Sequence, residues 1–124
     1  MADSIELQLN TLKLEANSYK KLEYFGKAEK SILKGLELRP EDNGLNHELA
    51  KIYFKRKKYK DSIVILRELS KKVKRRKILF KDIAMCYYKM NELEKALEAV
   101  TVSLSEDSTN ISSLFVEGLI YKEM

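Results

Sequence analysis

The chain repeats one eight-residue pattern at a fixed spacing. Its four copies start 34 residues apart and read LKLEANSY (Leu12–Tyr19), NHELAKIY (Asn46–Tyr53), FKDIAMCY (Phe80–Tyr87) and LFVEGLIY (Leu114–Tyr121). Each copy ends in tyrosine and has a small residue, alanine or glycine, three positions before it. Composition alone cannot produce such a period. It predicts one supersecondary unit that is copied and stacked, each unit covering the apolar face of its neighbour.

A second apolar stripe follows each of the first three copies. It opens with a large residue, has a small residue three positions later and an aliphatic residue four positions after that: Phe25, Ala28 and Ile32; Tyr59, Ser62 and Leu66; Leu93, Ala96 and Val100. Spacings of three and four residues place side chains on one face of a helix. Small residues let two helices approach closely, and the large ones fill the space beside them. Each repeat is therefore predicted to be a pair of packed helices.

Length and composition favour an all-α protein. The chain has 124 residues, of which 44% are apolar, while glycine (4) and proline (1) are too scarce for a fold with many tight turns. We predict seven helices in a single domain over residues 1–124. Its helix pairs would span 9–42, 43–76 and 77–110, with a half repeat at 111–124.

The single cysteine and the first ten residues indicate in which compartment the protein is found and whether it holds a metal. Cys86 is the only cysteine, which excludes an intrachain disulfide and argues against a cysteine-based metal site. The first ten residues include Asp3 and Glu6 and have no apolar core of a signal peptide. No apolar run reaches the ~20 residues of a membrane-spanning helix. The expectation is a cytoplasmic protein without cofactor or metal.

The recurring positions resemble those of the tetratricopeptide repeat (TPR) family. The resemblance covers residues 9–110 as three full copies and 111–124 as the first helix of a fourth. It implies a right-handed superhelix that binds protein segments on its inner, concave face. The chain departs from the family in lacking tryptophan, in having only Pro40 of the closing prolines, and in placing Glu15 and Glu117 at usually aliphatic positions. Without such a proline, the segment from Ser70 to Leu79 is free to continue as helix.

In this family the inner face is formed by the first helices. The resemblance therefore implies a peptide-binding groove formed by Lys13, Asn17, Lys20, His47, Lys51, Phe54, Lys55, Lys81, Met85, Tyr88 and Lys89. Lysines interspersed with aromatic and apolar side chains favour an acidic, partly apolar peptide. The alternative is that the lysines only solvate an exposed helix face.

Some TPR domains hold the C-terminal carboxylate of chaperone tails with a set of lysine, asparagine and arginine residues. Lys13 and Asn17 match the first two positions of that set. The other three fall at Glu48, Ile78 and Asp82, whose charges are wrong or missing. The sequence therefore argues against chaperone-tail recognition.

Basic charge is concentrated in the middle repeat. Residues 43–76 carry 12 basic and 3 acidic groups, and they contain the cluster 55–58 and all but the last residue of the cluster 71–77. A nucleic-acid interface is one interpretation. However, the two clusters fall at opposite ends of the helices and lack the interleaved aromatic residues of single-strand binders. Solvated edges are the favoured interpretation.

Catalysis has little support in the residue types. The chain has one histidine and one cysteine, and no glycine-rich phosphate loop or spaced metal cluster. We interpret Cys86 as a small packing residue and His47 as an inner-face residue. A small-molecule substrate and enzymatic activity are not expected.

The last helix is unusually apolar for a solvated end. Phe115, Leu119 and Ile120 are predicted to be available for self-association into a homo-oligomer. The favoured explanation for this apolar helix is instead that the chain is an excerpt of a longer repeat array. The favoured function is thus a non-catalytic interaction scaffold, with a self-assembly module as the alternative and a nucleic-acid accessory protein as a third hypothesis.

Overall fold

The computed structural model describes residues 2–124, with side chains from Ser4 onward. Within this range it contains seven α-helices and no strand, which confirms the all-α prediction. The helices are α1 (Ala2–Lys21), α2 (Phe25–Leu38), α3 (Asn43–Lys55), α4 (Tyr59–Ser70), α5 (Lys77–Lys89), α6 (Leu93–Glu106) and α7 (Ile111–Glu123). The segment between α4 and α5 is not helical, so the possible continuation of helix from Ser70 to Leu79 does not occur.

The chain divides into two compact units. Unit 1 ends at Lys57 and contains α1–α3, and unit 2 begins at Lys58 and contains α4–α7. In unit 1, α2 packs against both α1 and α3. In unit 2, α5 packs against α4 and α6, and α7 packs against α6 and α5.

The core of unit 1 depends on small residues where helices approach each other. Ala16 of α1 and Ala28 of α2 are 4% and 0% exposed, as their pattern predicts. Gly35 of α2 marks the closest approach, because a Cβ atom there would lie 3.0 Å from Cδ1 of Leu45 in α3. A larger side chain at residue 35 would therefore require the Leu45 side chain to move.

The core of unit 2 follows the same pattern. Ile83 and Ala84 of α5 and Val100 of α6 are fully buried. Cys86 is also fully buried; burial raises the pKa of its thiol to about 11, although a hydrogen bond with Ser62 acts in the opposite direction. A thiol that stays protonated at neutral pH is a poor nucleophile. Its environment fits the packing role predicted from the sequence.

The residues that precede α3, α5 and α7 recur with the 34-residue period, but they differ in whether their side chains cap the helix. Asp42 caps α3 by accepting a hydrogen bond from the Leu45 N–H at 2.8 Å, and Asn110 caps α7 through the Ser113 N–H at 2.9 Å. Arg76 occupies the equivalent position before α5 and provides no side-chain cap. Instead its own backbone N–H donates to the Glu106 carboxylate at 2.7 Å.

Each turn inside a helix pair has one residue in the left-handed backbone conformation, always at the same position of the repeat. Glu23, Lys57 and Asn91 have φ angles of 62°, 64° and 60° and are spaced 34 residues apart. The turns at Glu23 and Asn91 are Schellman motifs, in which the next N–H donates to the carbonyl of Tyr19 at 2.8 Å or Tyr87 at 2.9 Å. Of the three, only asparagine tolerates this conformation well.

Glycine at the left-handed positions should stabilise the protein. A non-glycine residue in this conformation costs about 1–2 kcal/mol, while the extra unfolded-state freedom of glycine removes about 0.5–1 kcal/mol of the gain. We expect Glu23→Gly to raise the free energy of unfolding by about 0.5–1 kcal/mol in urea titrations. Asn91→Gly is the matched control, and its free energy of unfolding should rise by less. A lower free energy of unfolding for Glu23→Gly would contradict this account. It would mean that the Glu23 side chain stabilises the turn by more than the left-handed backbone conformation costs.

Candidate peptide-binding site

An open pocket of about 390 Å³ lies in unit 1 between α1 and α3. Three of the predicted groove residues, Lys13, Asn17 and Lys20, line it from α1. Its remaining lining residues are Leu14, Ala16, Ile32, Gly44, Leu45 and Glu48. The pocket therefore combines polar side chains at its edge with an apolar base.

The helix geometry explains why these side chains converge. Residues 13, 17 and 20 are separated by four and three positions, so they share one face of α1. The Asp42 cap fixes the start of α3 and thereby directs Glu48 towards that face. Ile32 of α2 forms part of the base and is 1% exposed.

Ion pairs across the pocket make it less cationic than predicted. The Lys13 Nζ lies 3.4 Å from Oδ2 of Asp42, and Lys20 donates to the Glu48 carboxylate. The other oxygen of Glu48, Oε1, accepts from the Lys51 Nζ at 3.3 Å. Three of the predicted lysines thus share two carboxylates. The groove that the sequence predicts to be cationic therefore also contains acidic side chains in this part of the chain.

The two carboxylates were missed as site residues by the sequence interpretation. In the sequence, Glu48 stands out only as a mismatch to the chaperone-tail set, and nothing in the pattern assigns Asp42 to a site. One signal was present, because Glu48 and Lys51 are three residues apart on a helix and such pairs attract each other. The pairing with Lys20, by contrast, depends on how α1 and α3 are placed.

The pKa values of both carboxyl groups reflect these contacts. Burial raises the pKa of Glu48, but the hydrogen bond from Lys20 and the charges of Lys51 and Lys20 outweigh it and leave the pKa below its ordinary value. Burial also raises the pKa of Asp42. The hydrogen bond from the Leu45 N–H and the charge of Lys13 more than offset that effect and lower it. Both groups are therefore ionised at neutral pH.

The other predicted groove residues of unit 1 lie on α3 outside the pocket lining. His47 and Phe54 are half-buried and each interacts with other parts of the chain. Lys51 and Lys55 are exposed. The pocket thus brings together the α1 residues of the prediction but not these four side chains.

In unit 2 the predicted groove residues lie along α5. Lys81, Met85 and Tyr88 are half-buried at spacings of four and three residues, and Lys89 is exposed. The Lys81 Nζ is 2.9 Å from Oδ1 of Asp82. As in unit 1, an acidic neighbour reduces the positive charge of this face.

The predicted self-association residues on α7 do not share one environment. Phe115 is 66% exposed and Leu119 is half-buried, but Ile120 is fully buried. Ile120 therefore belongs to the core of unit 2 together with Val116, and its assignment to an exposed surface is wrong. The four-residue spacing of these two residues places them on the same, inward face of α7.

The basic clusters are partly paired with acidic residues. The Arg56 Nη1 lies 2.9 Å from Oε1 of Glu29 in unit 1. In unit 2, the Lys77 Nζ lies 2.8 Å from Oδ2 of Asp107. These contacts agree with the interpretation that the clusters are solvated edges.

The described residues were also compared with the requirements of a membrane-spanning helix and of a metal site, and they meet neither. Within residues 2–124, no helix combines the length and apolar character that crossing a membrane requires. The described side chains also include no group of three or more histidine, cysteine, aspartate or glutamate residues placed to hold a metal ion.

Comparisons with known proteins agree on the repeat and the fold. The tetratricopeptide repeat family model matches residues 14–42, while no curated protein sequence matches the chain. The second TPR domain of human RPAP3, in complex with the HSP70 peptide SGPTIEEVD, has a TM-score of 0.82 at 15% identity and covers 94% of this chain and 98% of that one.

Two other solved structures are similarly close. The Arabidopsis OM64 TPR domain has a TM-score of 0.84 at 12% identity, covering 97% of this chain and 98% of its own. The first TPR of Spaghetti (RPAP3), bound to the HSP90 peptide SRMEEVD, has a TM-score of 0.82 at 18% identity, covering 94% of this chain and 93% of its own. The chain is an all-α solenoid of TPR type, and the resemblance recognised from its sequence is confirmed.

The pH dependence of stability should reveal the Lys20–Glu48–Lys51 cluster. The pKa of Glu48 is lower in the folded state than its ordinary value of 4.5, so the ionised carboxylate stabilises the folded protein above pH 4.5. This stabilisation is lost as the pH falls through the pKa of the folded state. We expect Glu48→Gln to flatten the fall in unfolding free energy between about pH 5 and pH 3. Urea titrations across this range test it. Glu94→Gln, on an exposed surface, is the control, and equal slopes in both variants would contradict the assignment.

Proposed function

We propose that the chain is a non-catalytic protein-interaction scaffold whose unit 1 pocket binds an acidic, partly apolar peptide segment. The observation that carries this proposal is the placement of Lys13 and Asn17 one turn apart on α1, beside the apolar base of a preformed pocket. Ligand sites in proteins typically combine such a base with a few oriented polar groups.

Lys13 is the cation most available to a ligand. Its ion pair with Asp42 is long, at 3.4 Å, and 46% of the Lys13 side chain is exposed. Exposed pairs of this kind contribute only about 0–1 kcal/mol. A peptide carboxylate can therefore replace Asp42 at Lys13 with little loss, while the Asn17 amide donates a second hydrogen bond.

The apolar base supplies the other half of the recognition. Ala16, Ile32 and Leu45 are buried residues whose surfaces close the pocket below the polar edge. A bulky side chain next to the acidic residue of the ligand would lie over this base and cover Leu14, which also lines the pocket and is 69% exposed. Removing apolar surface from water contributes roughly 25 cal/mol per Å².

Glu48 limits how much negative charge the pocket accepts. It occupies one side of the pocket and already pairs with Lys20 and Lys51. A second ligand carboxylate would lie close to it and be repelled. We therefore propose a ligand with one acidic residue beside a bulky one, in contrast to the EEVD-ending HSP70 and HSP90 peptides in the similar structures.

The absence of catalysis and a cytoplasmic location belong to the same proposal. The single thiol, Cys86, is buried and has a raised pKa, which makes it a poor nucleophile. A lone reduced cysteine also suits a reducing compartment.

Charge reversal at Lys13 tests the proposed pocket. Peptides selected from a random displayed library should be enriched in an acidic residue next to a bulky one. Their dissociation constants, measured by fluorescence anisotropy, should rise at least about ten-fold in Lys13→Glu, because one charged hydrogen bond is lost and a repulsion is introduced.

The matched control is Lys34→Glu, which makes the same charge change at an exposed position of α2 outside the pocket. Glu48→Gln should bind the same peptides more tightly. Selection of basic peptides, or equal losses in Lys13→Glu and Lys34→Glu, would contradict the proposed site.

A further inference from the structure

The net positive charge of unit 2 originates in one short cluster, residues 71–77. The unit spans residues 58–124, which carry 13 basic and 10 acidic groups. The cluster 71–77 contributes six of the basic groups and no acidic one, so the rest of the unit carries 7 basic and 10 acidic groups. Its six cations are Lys71, Lys72, Lys74, Arg75, Arg76 and Lys77.

The cluster 71–77 lies on the surface and is held at both ends. Residues 71–76 lie between α4 and α5 and are not helical. The Lys72 N–H donates to the Leu69 carbonyl at 2.9 Å and closes the end of α4. On the other side, Leu79 is buried and anchors the first turn of α5 in the core of unit 2. Five of the seven side chains between these anchors are exposed.

Ion pairs within unit 2 account for half of these cations. Three of them each lie within 3.4 Å of a carboxylate: Lys71 with Glu68, Arg76 with Glu106, and Lys77 with Asp107. The Arg76 guanidinium also lies over the ring of Phe80, 5.7 Å from its centre. These contacts hold the cluster against the ends of α4 and α6.

Lys74 and Arg75, in the middle of the cluster, are different. Both side chains are exposed, and neither forms an ion pair or hydrogen bond within the part of the chain that the structure describes. Ile78 follows them in the first turn of α5 and is 53% exposed. The cluster therefore presents two adjacent free cations, followed closely by an exposed aliphatic side chain.

This combination fits an anionic lipid surface better than a nucleic acid. Clusters of lysine and arginine are attracted to the anionic lipids of the cytoplasmic leaflet, and an aliphatic side chain beside them enters the boundary between headgroups and acyl chains. A nucleic-acid duplex offers phosphates but no such apolar boundary. Proteins that bind single strands use aromatic side chains on which the bases stack, and the cluster 71–77 contains none.

We infer that the cluster 71–77 binds the surface of an anionic membrane. Lys74 and Arg75 contact the charged groups of the lipids, and Ile78 enters the headgroup region. The contact is peripheral and reversible, because it rests on a few charges and one aliphatic side chain. It belongs to unit 2 alone, concerns a different surface from the unit 1 pocket and does not depend on the proposed function.

Co-sedimentation of the intact chain with lipid vesicles tests the inference. The probes are vesicles of phosphatidylcholine alone and vesicles of phosphatidylcholine with about 30% phosphatidylserine. The chain should sediment with the second kind and stay in solution with the first. Binding should fall steeply as the salt concentration rises, because salt screens interactions between exposed charges.

Charge-removing variants locate the contact on the chain. The double variant Lys74→Gln/Arg75→Gln should bind the phosphatidylserine vesicles roughly 25-fold more weakly, about five-fold for each cation removed. The matched control is Lys30→Gln/Lys34→Gln, which removes the same charge from exposed positions of α2 in unit 1. Its binding should change by less than about two-fold, because those cations lie outside the cluster.

The variant Ile78→Ser separates a membrane from a nucleic acid. It should weaken binding to the phosphatidylserine vesicles by at least about two-fold, since the aliphatic contact is lost. Binding of the same variant to a DNA duplex, measured by fluorescence anisotropy, should equal that of wild type. Urea titration of each variant checks that it remains folded.

Three results would overturn the inference. The first is that the chain does not distinguish the two kinds of vesicle, as expected if the cluster only solvates an edge. The second is an equal loss of binding in the two double variants, which would show that only the total charge matters. The third is tighter binding to duplex DNA than to vesicles at equal phosphate concentration, together with wild-type vesicle binding by Ile78→Ser. That outcome would assign the cluster to nucleic acid instead.

Discussion

The structure depends on one packing interaction, the contact between the two helices of a repeat. Small residues such as Ala16 and Ala28 allow the helices to approach, and large residues such as Ile32 fill the space beside them. The helices after α1 have only 12 to 14 residues, a length that is marginal for an isolated helix in water, so each is held by the face it buries. The pocket follows from this contact, because its base is formed by residues that α1, α2 and α3 bury together.

The repeat made the fold predictable from the sequence. A fixed period of 34 residues specifies helix pairs, and the recurrence of apolar positions identifies their core faces. The turn residues Glu23 and Lys57 could not be assigned a left-handed conformation from their type, because neither favours it. Lys57 lies one 34-residue period before Asn91 and Glu23 lies two, and this spacing was the available signal.

The candidate site was predictable only in part. Spacing along α1 placed Lys13, Asn17 and Lys20 on one face, and the structure brings them to one pocket. The charge of that pocket was not predictable, because the contact of Lys20 with Glu48 joins residues 28 positions apart on different helices. Ile120 was misplaced for a related reason: an apolar helix pattern does not show which of its sides meets a neighbour until the packing is known.

The central claim is that the helices α1 and α2 are held together by contacts between specific positions, and the Glu15–Ser31 contact allows a direct test. A double-mutant cycle would measure unfolding free energies of wild type, Glu15→Leu, Ser31→Ala and the combination. If the two positions are matched, the double variant should recover about 1 kcal/mol relative to the sum of the single losses. Losses that add to within about 0.3 kcal/mol would contradict position-specific matching. The fold would then rest on non-specific apolar packing between its helices.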